Sequence, residues 1–532
     1  MSQDARASEE QATRRRSQIL GMGYTDTSVG DKQLFKDVLT IPELQQLKVI
    51  PLYADQHHIT FGVTNTTSHQ TMESLRNRFM DQRLSFTLIS DTGFSDYMKL
   101  YNPPKEVVYQ DIEFSKGDNS QLFAEVSRTL DTVVSDDILA YLVKQTFRLK
   151  GSDIHLECQK EAVRIRIRVD GVLHPIAMLS YPKYKTLLSS VAVAANISTG
   201  DPNPQTGHIN KTYRLATGEE ITMNLRVEAI VTAYGIDVVM RLFNFDLSLL
   251  KLDNLGLDER ERAVVDEIIK HPSGLVLTVG PTGSGKTTTL YSLISTLNSP
   301  ERKIITLEDP IEYYLPGIMQ IPVHGDQNSE GFAEKFRAVL RLDPDVVMVG
   351  EIRDKDTART ALQASLTGHL VLSTFHAQSS SAALTRLIDF VGINPLFASS
   401  IQLIMSQRLI RRLDDASKEA YEPDESVKRQ LKEVIDTLPP GVEKPNLEGL
   451  QLFRAKETEA NPFGYKGQIA IREQLQMTKG VREILAMPPA QISTEMLEQK
   501  AIADGMITML QDGVLKVIAG ITTLDEVYRV VG

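Results

Sequence analysis

The sequence contains a single cysteine, Cys158, among its 532 residues. A disulfide within the chain and a zinc site built from several cysteines are therefore both excluded. Cys158 follows the segment SDIHLE, which has the pattern of a strand, so we interpret it as a buried structural thiol. The scarcity of cysteine fits a reducing compartment.

Long apolar runs are also missing: none approaches the ~18 residues that a transmembrane helix requires. The beginning of the chain, MSQDARASEEQATRRRSQ, lacks the apolar segment of a secretory signal, and we expect a disordered lead over residues 1–40. These observations predict a cytoplasmic protein that reaches a membrane only through its partners.

An excess of basic residues is absent as well. The chain has 58 Lys and Arg against 69 Asp and Glu, a net charge of −11. Nucleic-acid-binding proteins present a basic face, so this balance argues against nucleic acid as a constitutive partner. A hydrophobic fraction of 42% and a charged fraction of 24% are typical of a soluble globular chain.

The patterns that are present divide the chain into several domains. In the second of them, apolar and polar residues alternate from Val163 to Val169 and Asp170-Gly171 follows, which predicts a β-hairpin. In the last domain strands and helices alternate, which indicates a mostly parallel sheet. A charged helix is predicted from about Asp424 to Thr437. The predicted boundaries are a small α/β domain at 41–105, a linker at 106–126, an α+β domain at 127–250 and an α/β domain at 251–532.

The most specific motif is GPTGSGKTTT, which follows the apolar strand GLVLTVG and precedes a helical segment. Glycines in such a loop turn backbone N–H groups toward an anion, and the helix adds its positive dipole end. Lys286 would place a charge on the β- and γ-phosphates, and Thr287 would offer a hydroxyl to Mg²⁺. The motif therefore predicts a nucleoside triphosphate and Mg²⁺ as cofactors, and the predicted nucleotide-binding residues are Gly280, Pro281, Thr282, Gly283, Ser284, Gly285, Lys286, Thr287 and Thr288.

Two acidic segments accompany this loop. In DPDVVMVGEIRD, an apolar strand delivers Glu351 to its carboxyl end, where a carboxylate can orient a magnesium ion or the attacking water. In TLEDPIEY, Glu308, Asp309 and Glu312 crowd together, which is costly unless a cationic group such as a metal-bound triphosphate lies nearby.

Two histidines flank the apolar strand in TGHLVLSTFHA. His369 and His376 are seven residues apart, which places them on opposite faces of a strand, so they do not form a paired metal site. They either sense the γ-phosphate or support the sheet.

With these four segments in order, the chain resembles the secretion ATPases of type II secretion systems and type IV pili, and more narrowly their assembly ATPases. Weaker similarity extends through GSDIHLE and RIRVDG upstream and GYKGQIAIRE and DGMITMLQDGVLKV downstream. The resemblance implies a homo-hexamer at the cytoplasmic face of the inner membrane. Each subunit would have an N-terminal module, a PAS-like second domain and a RecA-like motor domain.

The resemblance also assigns roles to residues. Glu312 matches the general base, Glu351 the Walker B carboxylate that contributes to the metal site, and His369 and His376 the His-box pair. Arg226 and Arg241 match arginines that reach the nucleotide from the second domain. Many relatives have a zinc module with paired CxxC motifs after the segment that matches QRLIRRL; its cysteine ligands are missing here, so no zinc is expected.

The function favoured by this resemblance is ATP-driven assembly of a type IV pilus or of a type II secretion pseudopilus. The expected partners are an inner-membrane platform protein and a cytoplasmic docking protein. The alternatives are a pilus retraction ATPase, a conjugation or type IV secretion ATPase, and a regulator that binds nucleotide without hydrolysing it. The additional N-terminal module argues against retraction, and the intact Lys286, Thr287, Glu312 and Glu351 argue against the regulator.

Overall fold

The chain forms two compact units, Met1–Val108 and Tyr109–Gly532, and each is described by itself. The computed structural model describes residues 3–29, 32–101, 111–114, 120–133, 137–214, 220–243, 250–323, 330–392, 398, 400–488 and 491–532.

The first unit contains a four-stranded sheet in the order β1-β4-β3-β2. Strands β1, β4 and β3 are parallel, and β2 runs antiparallel to β3. Leu44, Ile50, Phe61 and Leu88 are buried in its core. The elements of this unit are α1 (Gln3–Leu20), β1 (Gly23–Tyr24), α2 (Ile41–Leu47), β2 (Val49–Ala54), β3 (His58–Val63), α3 (His69–Arg78), β4 (Arg83–Leu88) and α4 (Asp91–Tyr101).

Helix α1 corrects the expectation of a disordered lead. Its carboxylate Glu10 is only 7% exposed and accepts hydrogen bonds from the hydroxyls of Tyr24 at 2.7 Å and Ser90 at 2.6 Å. The large apolar side chain of Ile19, by contrast, is 84% exposed. A helix that buries polar groups has no apolar stripe, and hydrophobic periodicity therefore could not predict it.

The second unit begins with a six-stranded antiparallel sheet in the order β7-β6-β5-β10-β9-β8. Its apolar face packs against helices and buries Leu142, Ile154, Leu187 and Met240. The elements are α5 (Ser120–Thr132), α6 (Ile138–Arg148), β5 (Gly151–Cys158), β6 (Val163–Val169), β7 (Val172–Leu179), α7 (Tyr181–Ala195), β8 (Gln205–Arg214), β9 (Glu220–Val231) and β10 (Ile236–Phe243).

The predicted hairpin is confirmed as β6 and β7. Asp170 and Gly171 connect these strands with positive φ values of 46° and 81°, as a two-residue turn with two left-handed residues requires. The structure also confirms that Cys158 is buried. Burial raises the pKa of its thiol to about 11, which leaves it protonated and unreactive.

The structure differs from the predicted linker at 106–126, of which residues 106–110 and 115–119 lie outside the described residues. Helix α5 begins at Ser120, and its side chains Val126 and Leu130 are buried in the core of the second domain. The second domain therefore begins before residue 127, because these apolar residues recur at helical spacing and face β7.

The remainder of the chain contains a seven-stranded sheet in the order β13-β12-β14-β15-β11-β16-β19. All its strands are parallel except β19, which is antiparallel to β16. Helices cover both faces, so strands such as β11 and β15 are buried along their whole length. The elements that form and flank this sheet are α8 (Glu259–Ile268), β11 (Gly274–Val279), α9 (Lys286–Leu297), β12 (Ile304–Glu308), β13 (Met319–Pro322), α10 (Glu330–Leu340), β14 (Val346–Val349), α11 (Lys355–Leu366), β15 (Leu370–Phe375), α12 (Ser380–Val391), β16 (Ile401–Leu413) and β19 (Tyr465–Gln476).

An insertion and four C-terminal helices complete the fold. The expected charged helix is α13, whose residues Leu431 and Ile435 pack against Leu452 and the C-terminal helices. Apolar packing therefore holds this segment together. The elements are β17 (Glu419–Tyr421), α13 (Glu425–Asp436), β18 (Leu452–Arg454), α14 (Lys479–Leu485), α15 (Thr494–Ala503), α16 (Met509–Ile518) and α17 (Leu524–Val531). Within the described ranges, no helix has the length and apolar composition that a bilayer span requires.

Candidate nucleotide site

The glycine-rich loop lies between the end of β11 and the beginning of α9, as the motif predicts. Gly280, Gly283 and Gly285 have φ values of 150°, 79° and 83°, which residues with a side chain rarely adopt. Pro281 and Thr282 are exposed at the tip of the loop, Ser284 is buried, and Thr287 and Thr288 lie partly exposed in the first turn of α9.

A buried glutamine from a distant part of the chain supports this loop. The side-chain amide of Gln407 in β16 donates to the carbonyl of Ser284 at 2.7 Å and accepts from the hydroxyl of Thr289 at 3.0 Å. A Cβ atom on Gly280 would lie 2.6 Å from the Gln407 carbonyl oxygen, so only glycine fits there. Gln407 could not be recognised from the sequence, because an isolated amide in a strand gives no local signal.

Lys286 turns its ammonium group back over the loop. Its Nζ atom donates to the carbonyls of Gly280 and Pro281, each at 2.8 Å. Burial lowers the pKa of Lys286, while the negative charges of Glu351 and Glu312 oppose that shift. The charges of the two carboxylates that the sequence predicts as site residues therefore act on this ammonium group.

The carboxyl of Glu312 is influenced by residues from both domains of the second unit. Burial raises the pKa of its carboxyl, while a hydrogen bond with the Thr287 side chain and the charges of Arg241 and Arg226 act in the opposite direction. The two arginines are paired directly across β10 and β9. Arg241 also forms an ion pair with Asp153, with Nε and Oδ1 2.9 Å apart. The charges of both predicted arginines therefore favour the ionised form of the Glu312 carboxyl.

Glu351 lies two residues beyond β14, at the carboxyl edge of the parallel sheet. Its carboxylate is 2.9 Å from Nε2 of His376 and 2.7 Å from Nε of Arg353. The side chain of Glu351 is only 19% exposed, whereas that of His376 is 45% exposed. The predicted Walker B carboxylate and the second predicted histidine are therefore in direct contact.

The structure does not bring His369 to this site. His369 precedes β15, at the amino edge of the sheet, and its Nδ1 atom is 3.1 Å from the carbonyl oxygen of Ala364. His376 follows the same strand, and at ~3.3 Å per residue the two histidines are separated by roughly 23 Å. They consequently occupy opposite ends of the strand.

The acidic segment around Glu308 is less crowded than its sequence suggests. Glu308 is buried and accepts hydrogen bonds from the hydroxyls of Tyr291 and Thr306 and from the amide of Gln320. Asp309 instead faces Arg353, with the charged atoms 3.7 Å apart. The Glu308 carboxylate is therefore satisfied by hydrogen bonds within the protein, whereas the charge of Glu312 acts on Lys286 of the phosphate loop.

The donor atoms fit a magnesium ion only in combination with phosphates. In the part of the chain that the structure describes, no group of three His, Cys, Asp or Glu side chains could hold a metal ion. Mg²⁺ commonly takes one or two protein ligands and completes its shell with substrate phosphates and water. The Thr287 hydroxyl and the Glu351 carboxylate are the two side chains that could serve as such ligands.

A phosphate loop between a buried parallel strand and a helix, with carboxylates at the ends of neighbouring strands, defines the class: this is a P-loop nucleoside triphosphatase. The family described as "Type II/IV secretion system protein" matches residues 129–529, and the chain belongs to this family.

Relatives with curated descriptions agree with this membership. Type II secretion system protein E of Pseudomonas aeruginosa is 37% identical over 465 residues, which cover 85% of this chain and 88% of that protein. The type IV pilus assembly ATPase PilB of Myxococcus xanthus is 34% identical over 448 residues, which cover 82% and 76% of the two chains.

A solved structure supports the same fold. The Legionella pneumophila ATPase DotB aligns with a TM-score of 0.55 and 22% sequence identity, over 75% of this chain and 96% of DotB. The α/β P-loop fold, the family and the assignment as an ATP-hydrolysing enzyme are thereby confirmed.

Proposed function

We propose that this protein is a hexameric motor that couples ATP hydrolysis to the assembly of a type IV pilus or a type II secretion pseudopilus. It acts at the cytoplasmic face of the inner membrane, where a docking protein holds it and a platform protein receives its motion. The names of the two curated relatives described above support both branches of this proposal.

One observation carries the mechanical part of the proposal. Glu312 of the motor domain lies within the electrostatic influence of Arg241 and Arg226 on the second domain and hydrogen bonds with Thr287 beside the phosphate loop. Because the arginines and the loop belong to different domains, a nucleotide bound between them holds those domains together. Loss of the γ-phosphate would weaken that attraction and release the second domain.

In the chemical step, Lys286 and the backbone of the phosphate loop bind the β- and γ-phosphates. Thr287 and Glu351 would hold a Mg²⁺ ion, which would supply positive charge to the phosphates. Glu312 orients the attacking water and accepts its proton, a role for which a raised pKa is suited. Arg226 and Arg241 stabilise the negative charge that develops on the transferred phosphoryl group. His376 positions Glu351 through the contact between Nε2 and Oε1, which are 2.9 Å apart.

The experiment that tests the proposal combines enzyme kinetics with a filament assay. A strain lacking the chromosomal gene is complemented with the wild-type chain or with Glu312→Gln, and surface pili and secreted proteins are counted. We expect the variant to bind ATP and to yield neither filaments nor secretion. If the wild type hydrolysed ATP normally and the strain with Glu312→Gln formed filaments that only failed to retract, the protein would instead be a retraction motor.

A further inference from the structure

Residues 376–379, which we call the histidine loop, connect β15 to α12 and are bonded on several sides. Arg386 donates to the carbonyl of His376 at 2.8 Å. At the other end, the amide of Ser380 donates to the buried carboxylate of Glu473 at 2.5 Å. Between them, Nη2 of Arg408 donates to the carbonyl of Gln378 at 2.8 Å. The backbone of the histidine loop is therefore bonded to α12 and β16, and the first residue of α12 is bonded to β19.

The other branch of Arg408 lies against the phosphate loop. Its Nη1 atom donates to the carbonyl of Gln407, which belongs to the residue that supports the loop. A Cβ atom on Gly280 would lie 3.2 Å from the same Nη1 atom. One half-buried guanidinium group is consequently in contact with the histidine loop and packed beside the first glycine of the phosphate loop.

The order of the strands explains how one side chain reaches both loops. In the sheet, β11 lies between β15 and β16. The histidine loop follows β15, the phosphate loop follows β11, and Arg408 extends from β16 beyond the last residue that pairs with β11. Its side chain therefore passes the carboxyl end of β11 and reaches the loop on the other side.

The histidine loop also leads to the acidic part of the site. Nε2 of His376 is 2.9 Å from Oε1 of Glu351. A displacement of this loop away from the phosphate loop would move His376, which is the partner that orients the Glu351 carboxylate. Reaction geometry is sensitive to such movements: a ~1 Å misplacement of a reacting group can lower a rate ~100-fold.

We propose that Arg408 is a positioning residue for ATP hydrolysis, whose forked guanidinium holds the histidine loop in register with the phosphate loop. This inference rests on the proposed roles of Glu351 and His376. Arginine is required because two donors of one planar group bond two carbonyl oxygens in fixed directions, which the single ammonium of lysine does not do. A Cβ atom on Gly280 would clash with the Gln407 carbonyl at 2.6 Å and would crowd the fork at 3.2 Å.

The test compares Arg408→Gln, Arg408→Lys, His376→Ala and the double variant Arg408→Gln/His376→Ala in the full-length chain. We expect Arg408→Gln to lower kcat between about 10- and 100-fold. The dissociation constant for a fluorescent ATP analogue should change less than about threefold, since the phosphate-binding groups remain. Arg408→Lys should restore little of the activity. In the His376→Ala background, Arg408→Gln should cost less than about threefold, because both changes remove the same alignment.

A readout without nucleotide separates positioning from catalysis. Hydrogen exchange of the peptide covering the histidine loop should accelerate in Arg408→Gln while the melting temperature stays within a few degrees of wild type. Arg412, on the same strand, is exposed and paired with Asp415, so Arg412→Gln serves as the matched control and should leave both exchange and kcat unchanged.

Three results would overturn the inference: full activity in Arg408→Lys, multiplicative losses in the double variant, or unchanged exchange in the histidine loop. The first would indicate a purely electrostatic effect on the phosphates, and the second an action independent of His376. Failure of the wild-type chain to hydrolyse ATP would instead overturn the proposed function, so the two failures are distinguishable.

Discussion

The two large sheets of the second unit bury their strands in different ways. Along β6 of the antiparallel sheet, buried and partly exposed residues alternate, and the exposed positions carry Arg164, Arg166 and Arg168. Along β11 of the parallel sheet every residue is buried, and polar groups occur beyond its end. The antiparallel sheet therefore presents polar groups on one face, whereas the parallel sheet presents them at one edge. The two kinds of surface interact in the candidate site, where the charges of Arg241 and Arg226 on the antiparallel sheet act on the carboxyl of Glu312.

The largest effect on hydrolysis is expected from a substitution at the carboxyl edge of the parallel sheet. Lys286→Ala removes the ammonium group that interacts electrostatically with Glu351 and Glu312. We expect hydrolysis to fall by at least ~100-fold, as with the loss of one preorganised donor to a transition-state anion. Phosphate release under saturating ATP measures the effect. Lys303→Ala, a change on the exposed surface of the same domain, is the control. If Lys286→Ala retained its turnover of ATP, the phosphate loop would have no role in the mechanism.

A second large effect should appear as a pH dependence at Glu312. Burial raises the pKa of this carboxyl, so the acid limb of kcat should lie above the ordinary value of ~4.3 for glutamate. A general base must be ionised, and the rate should therefore fall as the pH drops through this raised pKa. Glu312→Gln should abolish both the activity and the limb. A rate that keeps the same acid limb in Glu312→Gln would assign the titration to another group.

The next effect probes the face of the antiparallel sheet. The charges of Arg241 and Arg226 favour the ionised form of Glu312, so Arg241→Gln should raise the Glu312 pKa further and move the acid limb to higher pH. We also expect kcat to fall by ~10- to 100-fold, because transition-state charge loses a partner.

Arg164→Gln gives the matched comparison for that experiment. Arg164 is on the same sheet but pairs with Glu157, with the charged atoms 2.8 Å apart. This change should leave the pH profile in place. Equal shifts in the two variants would show that the sheet acts only through its total charge.

The same contrast explains what the sequence could predict. The phosphate loop and the hairpin at Asp170 are local patterns in which turn, strand and helix signals agree, and both were predicted correctly. Gln407 is 123 positions from Ser284, whose carbonyl it supports, so its importance depends on the strand order of the folded sheet. The arginine pair on β9 and β10 was identified only through the family resemblance, because alternating charges on a strand usually indicate a solvated face.

The smallest effect is expected at the amino edge of the parallel sheet. His369 contacts the carbonyl of Ala364 and lies roughly 23 Å along β15 from His376. We expect His369→Ala to change kcat by less than about threefold in isolated subunits. His376→Ala removes a direct contact with the Glu351 carboxylate and should cost ~10-fold or more. Parallel measurements of kcat and melting temperature on the two variants decide the point. A large loss of kcat in His369→Ala only under conditions that assemble the ring would indicate that this histidine acts on a site in a neighbouring subunit.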